Sequence, residues 1–403
     1  MEMEKRLGVG IIGCGAISGS HVNGYLNFPE RVQIQAVCDV LEERAQNRAG
    51  SIMSESSKRI QQLTEQTETA ETSEEKERLT TQRKYLEQYN EEQIQIFTDY
   101  NEMLNIPNLD AISICTPPFV HAPAAIAAAQ AGKHVYCEKP MAMTATEAKA
   151  MCDACNQAGV KLGYQSGGTR LGGTNYAIRD YITSGKIGDV YYGRMTSFRV
   201  RGRPGIDMML GSPWFIDSTK AGSGALYDTG VYDIDKTLYL LGDPQPATVS
   251  ATAYRGIDRP TDSKVDIYDV EEHVSIFVRF KNGMSFTFEK GWATNISGLP
   301  QGIFIFGSKG AFRGDTLLVE QDGKIVEGQL DVPDMPNSSR ISNFLDACTS
   351  DKNPISCGED GQKVMEIMSG ALLSAKLGRE ITVAELYAIE QMRTEPTSGW
   401  SIP

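Results

Sequence analysis

The chain has 403 residues, 40% of them apolar and 23% charged, enough for two or three domains with a sizeable buried core. A net charge of −13, from 39 basic and 52 acidic residues, excludes a general nucleic-acid-binding surface, because polyphosphate is repelled by such a field. No apolar run approaches the roughly 20 residues of a membrane helix, and the start, Met1-Glu2-Met3-Glu4-Lys5-Arg6, is charged and lacks a signal-peptide apolar core, so a cytoplasmic protein with no membrane partner is expected.

Residues 7–12 and 32–38 read as buried strands, with a short helix from about Ser18 to Leu26 between them. Residues 109–115 form the next strand. An alanine-rich helix follows from about Pro123 to Ala131, then a strand at 134–137 and a helix from Thr144, where Thr144 and Glu147 have capping-box spacing. Lys161-Leu162-Gly163-Tyr164 reads as one more strand. Alternation at this spacing predicts a doubly wound parallel sheet, with a first domain over 1–140.

The second half changes character. Strands are expected at 190–201, 247–254, 270–280, 284–290 and 303–306, with Lys281-Asn282-Gly283 as a hairpin signal. Helices are expected at about 174–184, 224–241, 338–350 and 360–377, the last capped by Gly378. The fold class is therefore α/β: an N-terminal Rossmann sheet plus a C-terminal domain, 141–385, with a large, mostly antiparallel open sheet. Residues 386–403 read as a tail.

Residues 50–93 fit neither pattern. They are rich in Glu, Gln, Thr, Ser, Lys and Arg, and carry a thin apolar stripe of Ile52, Ile60, Leu63, Leu79, Leu86 and Tyr89. Two helices with a turn near Glu71-Thr72-Ser73 are expected, inserted between the second and third strands. A solvated hairpin and an oligomer-contact arm are equally good readings, and in either case the insertion is expected to be dispensable for the fold.

Eight cysteines are scattered along the chain. Cys152 and Cys155 form a C-x-x-C inside a predicted helix, with no second pair, so they read as one packed helical face. No metal site is expected.

Gly13-x-Gly15-x-x-Ser18 follows a strand and opens a helix, the context that gives such a motif meaning. Gly13 makes the tight turn and Gly15 lets the backbone approach a pyrophosphate. With Ala16 and Ile17, the helix start offers N–H groups and a positive dipole end. The second strand ends in Asp39, whose carboxylate suits a ribose 2′-hydroxyl and opposes a 2′-phosphate, favouring NAD over NADP; Arg44 lies close enough to leave some tolerance for NADP. Glu138-Lys139-Pro140 follows the strand His134-Val135-Tyr136-Cys137 and delivers a lysine to the nicotinamide ring. Arg199, Arg201 and Arg203 alternate along a strand end, with Trp214 nearby; an aromatic wall with polar donors suits a sugar ring, and Arg170 is a weaker candidate of the same kind.

These pieces resemble the Gfo/Idh/MocA oxidoreductase family. The supporting residues are the glycine turn, Thr116-Pro117-Pro118-Phe119-Val120-His121, Glu138-Lys139-Pro140 and the run from Gly222 to Asp235. The resemblance covers nearly the whole chain apart from 50–93 and the tail. It implies sugar, inositol or related polyol substrates, and a second-domain sheet that builds a homo-oligomer, a dimer or tetramer. It also implies that Thr116, Pro117 and His121 line the nicotinamide half of the cleft, that Glu138 holds the nicotinamide ribose, and that Gln165 sits near the ring. Lys139 would reach the reacting oxygen. Asp228 matches the family's second-domain acid, and Tyr232 stands where many members carry His, as in the branch containing glucose–fructose oxidoreductase and dihydrodiol dehydrogenases.

Alcohol oxidation needs a base within hydrogen-bond reach of the hydroxyl. Tyr232 is the first candidate, with Lys139 as the cation that lowers its pKa and stabilises alkoxide charge. Asp228, one helical turn earlier, orients the pair or is itself the base. The expected function is an NAD-dependent dehydrogenase acting on a secondary hydroxyl of a sugar, glycoside or cyclitol. Two alternatives stand beside it: a glycosidase that uses NAD transiently, and a non-catalytic dinucleotide-sensing or scaffold protein.

Overall fold

Two sheets organise the computed structural model, which describes residues 6–91, 93–258, 266–335 and 339–392. The first sheet contains β1 (Leu7–Ile12), β2 (Val32–Cys38), β3 (Gln95–Phe97), β4 (Ala111–Ile114), β5 (His134–Cys137) and β6 (Leu162–Tyr164), in the order β3-β2-β1-β4-β5-β6. Every pair is parallel. Parallel strands need crossover helices that cover both faces, which is why β1 and β4 are apolar on both sides and buried. The strands β1 and β4 part at the topological switch point, where the strand order reverses and the crevice opens.

The second sheet contains β7 (Val190–Phe198), β8 (Pro246–Tyr254), β9 (His273–Phe280), β10 (Ser285–Gly291), β11 (Gly302–Gly307), β12 (Gly310–Arg313), β13 (Thr316–Gln321), β14 (Lys324–Glu327) and β15 (Ile381–Thr382). Its order is β14-β13-β12-β11-β7-β10-β9-β8-β15, antiparallel except where β10 runs alongside β7. Residues alternate between buried and partly exposed along β9 and β10, because helices cover one face only. The Gly358–Leu377 helix packs on β8 and ends at Gly378, whose φ of +66° closes it as expected.

Several elements differ from the sequence reading. The strands β3 and β12 to β15 are too short to carry a pattern of their own. The first strand of the second sheet stops at Phe198 and not at 201. A further helix, Val383–Gln391, crosses residue 386, where a tail was expected to begin. It buries Leu386, and Glu390 accepts from both the amide and the hydroxyl of Thr146 at 2.8 Å.

The insertion is also built differently. The second crossover helix runs unbroken over Glu42–Thr69, and Ser73–Glu91 returns beside it. The turn falls near 71–73 as expected, but the base of the hairpin is part of the core. Ile52, Leu86 and Tyr89 are buried in one cluster with Val9 and Ile34. The thin stripe therefore specifies packing at the base, which argues against removing the whole 50–93 segment.

Candidate active site

The glycine turn is shaped for something to approach it. Gly13 has φ of +89°, and a Cβ there would sit 2.8 Å from the backbone carbon and oxygen of Cys115. Only glycine fits this left-handed position against β4. A Cβ on Gly15 would meet nothing within 4 Å, so the space beside the turn is open. Ser18 closes the turn by donating its hydroxyl to Gly15 O at 2.7 Å. Ala16 and Ile17 are exposed at the start of the Ser18–Tyr25 helix. The amides of Ser18, Gly19 and Ser20 are taken by the carbonyls of Gly15, Ala16 and Ile17 at 3.3, 3.2 and 3.0 Å, so it is the turn ahead of them, at Gly15 to Ile17, that is left for a phosphate.

Asp39 braces the turn. Its Oδ2 accepts from Cys14 N at 2.9 Å and its Oδ1 from Leu41 N at 3.0 Å. A carboxylate has about four acceptor positions, so the group retains capacity for a ribose hydroxyl. Arg48, unread in the sequence, reaches in from the long crossover helix and donates to Gly15 O at 2.9 Å. Arg44 makes no such contact. The open Gly15 face, the exposed helix start and the buried, unpartnered Thr116 hydroxyl together fit a dinucleotide.

The nicotinamide side is assembled from the ends of β4 and β5. His121 is fully buried; its Nδ1 lies 2.8 Å from Pro140 O and its Nε2 2.8 Å from Thr116 O. It ties the Thr116-Pro117 loop to the segment after Lys139, so it shapes the cleft from behind. Glu138 is 4% exposed and sits 2.8 Å from His21 Nε2. Burial raises its carboxyl, but the His21 hydrogen bond and charge, with Lys139 beside it, outweigh that and leave it below its ordinary value. Gln165 is buried and accepts from the Tyr136 hydroxyl at 3.2 Å.

Lys139 crosses to the second domain. Its Nζ donates to Asp228 O at 2.6 Å and to Asp228 Oδ1 at 3.3 Å, and lies 5.2 Å from the centre of the Tyr232 ring. The other Asp228 oxygen accepts from Trp292 Nε1 at 3.0 Å. Leu226–Gly230 is a π-helical turn that continues into the Val231–Leu240 helix, so Asp228 and Tyr232 are both carried on one rigid element. The expected activation of Tyr232 by Lys139 is not what this geometry gives. The ammonium is bound to Asp228 and faces the ring of Tyr232. Burial pushes the Tyr232 hydroxyl up, Glu138 and Asp228 push it further, and Arg340 offsets only part of this.

The arginines expected to hold substrate separate in the structure. Arg203 is fully buried, with its guanidinium on Asp207, Glu272 and the carbonyls of Ile257 and Asp258. Arg170 is 2% exposed and saturated by Asp235, Asp243 and Asp360. Both are spent on holding the second domain together, and all five donors of Arg203 are taken. Arg199, Arg201 and Arg203 do not share a face, because the strand ends before them. Arg201 is exposed and tied to the 294–295 loop through Thr294 O and Asn295 Oδ1. Trp214 stacks on Phe215 at 3.8 Å in the Pro213–Ile216 turn. The adjoining Ser218–Ala221 helix packs against Pro118–Val120, which brings this segment to the rim of the cleft.

Three residues that position the site escaped the sequence reading: His21, Arg48 and Trp292. Each acts on a partner more than 30 positions away, and none lies in a recurring motif. Among the described residues no group of three or more potential metal ligands occurs. No helix among them is long and apolar enough to cross a membrane. Cys152 and Cys155 are buried in the Ala145–Ala158 helix, and burial raises the Cys155 thiol to about 12, as fits a packed face.

A parallel sheet with this glycine turn, followed by a domain that meets it through a lysine, defines an NAD-dependent oxidoreductase. The chain belongs to the Gfo/Idh/MocA family: residues 7–166 match its "oxidoreductase family, NAD-binding Rossmann fold" profile and residues 176–313 match its C-terminal domain profile. The chain is 29% identical to the 1,5-anhydro-D-fructose reductase of Ensifer adhaerens over 272 residues, 66% of this chain and 77% of that one. It is 26% identical to the D-glucoside 3-dehydrogenase of Escherichia coli (strain K12), over 71% of this chain and 83% of that one. A levoglucosan dehydrogenase solved with NADH and L-sorbose shares the fold with a TM-score of 0.70 at 23% identity, covering 94% of this chain and 99% of that one.

Proposed function

We propose that the protein moves a hydride between NAD and a secondary hydroxyl or ketone of a sugar, glycoside or cyclitol. The observation that carries this reading is Lys139 Nζ, which leaves the end of the NAD-binding sheet and meets Asp228 of the second domain at 2.6 Å and 3.3 Å. Relatives named for an anhydrosugar, a glucoside and inositol support the substrate class.

NAD, when bound, supplies the hydride acceptor for oxidation. The chain handles the proton. Asp228 takes it from the hydroxyl, because its carboxylate is held at the cleft by Lys139 and Trp292. Lys139 keeps a third N–H for the reacting oxygen and stabilises the negative charge that develops there. Tyr232 stays protonated, since burial favours its neutral form, and donates its hydroxyl to the sugar. Asp39, Gly13, Gly15, Ala16 and Ile17 hold the adenosine and pyrophosphate end. Thr116, Pro117, His121, Glu138 and Gln165 frame the nicotinamide end.

The protein works in the cytoplasm as a homo-oligomer in this reading. All eight cysteines are unpaired, in keeping with a reducing compartment. The exposed aromatic pair Tyr191 and Phe306 on the second sheet supports assembly through that sheet.

The test is incubation with NAD and a panel of sugars, glycosides and cyclitols, followed at the NADH absorbance with product analysis. NADH formation matched by a ketone product is expected on at least one. A protein that binds NAD yet reduces none with any polyol would overturn the reading.

A further inference from the structure

We infer that Arg340 selects the substrate and that the substrate carries a carboxylate, making it a sugar acid. This rests on the sugar-oxidoreductase reading above and narrows it.

Arg340 opens the Arg340–Cys348 helix, whose start is fixed by a reciprocal Ser339–Ser342 capping box. The helix is clamped against the first domain. Ile341 fills the space above Gly24, where a Cβ would come within 2.6 Å of its side chain. Phe344 is fully buried with its ring 5.0 Å from that of Tyr136. Residues four apart share a helix face, so Arg340 stands above Phe344 on the side of Tyr136. The Tyr136 hydroxyl in turn holds Gln165 at the cleft.

A second contact fixes where Arg340 lies. Its Cδ is 3.7 Å from the position of a Cβ on Gly168, in the turn that follows Gln165 and Ser166. That turn is bonded to the helix that carries Tyr232: Ser166 Oγ and Thr169 Oγ1 donate to Asp235 at 2.7 Å and 2.6 Å. Arg340 therefore overhangs the cleft on the side of Gln165 and Tyr232. The pyrophosphate turn lies at Gly13 and Gly15, away from the Gly168 turn that Arg340 touches, so the anion that Arg340 awaits belongs to the substrate and not to the dinucleotide.

The charge balance of the cleft points the same way. Lys139 is committed to Asp228, and Glu138 to His21. Arg170 and Arg203 are saturated by carboxylates. Arg340, half-buried, makes no hydrogen bond or ion pair among the described residues. A guanidinium presents a planar fork of donors that matches a carboxylate in two parallel bonds. Its positive charge is felt at the Tyr136 and Tyr232 hydroxyls, which it draws downward. A carboxylate on the sugar would complete the pair and set the hydroxyl to be oxidised against Lys139.

The test compares NAD-linked turnover of glucuronate, galacturonate and gluconate with that of glucose and galactose, for wild type, Arg340→Gln and Arg340→Lys. Wild type is expected to show kcat/KM at least about tenfold higher for one acid than for its neutral parent. Arg340→Gln should lower kcat/KM for the acid at least about tenfold more than for the parent, through KM, with Arg340→Lys in between. Binding of the same acids to the NADH complex, read by nicotinamide fluorescence, checks the contact without turnover. Oxidation of neutral sugars with no preference for an acid, or an equal loss on both in Arg340→Gln, would overturn the inference and leave the sugar-oxidoreductase reading standing. Neither turnover nor binding of any sugar would remove both.

Discussion

His21 Nε2 lies 2.8 Å from Glu138 Oε1, while its Nδ1 lies 2.7 Å from Ser113 Oγ, which the Tyr25 hydroxyl meets at 3.1 Å. The bonds form one continuous chain, with Nε2–H donating to the carboxylate and Nδ1 meeting the Ser113 hydroxyl. The helix that starts at the pyrophosphate turn is thus bolted to the carboxylate beside the nicotinamide. Both ends of the cofactor site are set by one element. His21→Leu strands a buried carboxylate, a loss of about 1.5–3 kcal/mol. A lower melting temperature and NAD binding weaker by roughly tenfold or more are expected. His21→Gln restores one donor and should recover part of both. Thermal unfolding with and without NAD reads this, and an unchanged NAD affinity in His21→Leu would refute the coupling.

Lys139, Asp228 and Tyr232 should separate by their kinetics. Asp228→Asn removes the base and keeps the shape, so turnover should fall on the order of a hundredfold or more with NAD binding nearly intact. Lys139→Ala should behave alike, because it removes the cation that meets the developing charge. Tyr232→Phe deletes a hydroxyl that burial keeps protonated. It should raise KM more than it lowers kcat. If Tyr232→Phe abolishes turnover while Asp228→Asn does not, the base is the tyrosine.

Asp39 has two jobs that one substitution disturbs together. Asp39→Ala removes the acceptor of Cys14 N and Leu41 N, so the glycine turn loses its brace. NAD should bind more weakly and the preference for NAD over NADP should narrow, since the like charge facing a 2′-phosphate is gone. Titration of both dinucleotides into both proteins measures this. Tighter NADP than NAD binding in the wild type would contradict it.

Elements that repeat a period or a local motif were legible: the strands of the first sheet other than β3, the glycine turn, the Lys281-Asn282-Gly283 hairpin and the Gly378 cap. The short strands β12 to β15 were not, because two to six residues carry no period and pair only through the sheet around them. The arginines were misjudged for a related reason. Arg170 and Arg203 look like Arg340 in a sequence, and only the fold brings Asp235, Asp243 and Asp360 to one and Glu272 to another. The sequence reading ranked Tyr232 first as base because burial, which decides its protonation, depends on packing from both domains.

The insertion should divide into a base that folds with the core and a tip that does not. Ile52, Leu86 and Tyr89 are buried at the base, whereas residues 65–77 are exposed or partly exposed. Replacing 52–92 with a linker removes Ile52, Leu86 and Tyr89 from the core, each worth about 2–5 kcal/mol, and should give little soluble protein. Replacing 65–77 alone should leave a folded, NAD-binding protein. Soluble, NAD-binding protein from the larger deletion would show that the base does not support the first sheet.

Acid should destabilise the protein partly through His121. Both of its ring nitrogens face carbonyl oxygens at 2.8 Å, a setting that would welcome a second proton. Burial opposes the charge more strongly, and the ring ends below its ordinary value despite Thr116, Pro140 and Glu138 pulling it up. His134 and His273 are lowered by burial as well. The unfolded chain therefore binds protons that the folded chain refuses, over the interval from the unfolded histidine value of about 6.5 down to the folded values. The stabilisation is complete above that interval and is lost as pH falls through it. Unfolding free energy from urea titrations should decline between about pH 7 and about pH 5, and the decline should be shallower in His121→Gln, which has one less group to protonate on unfolding. An equal slope in the two proteins would mean that His121 takes its proton without unfolding, with both carbonyls holding a charged ring.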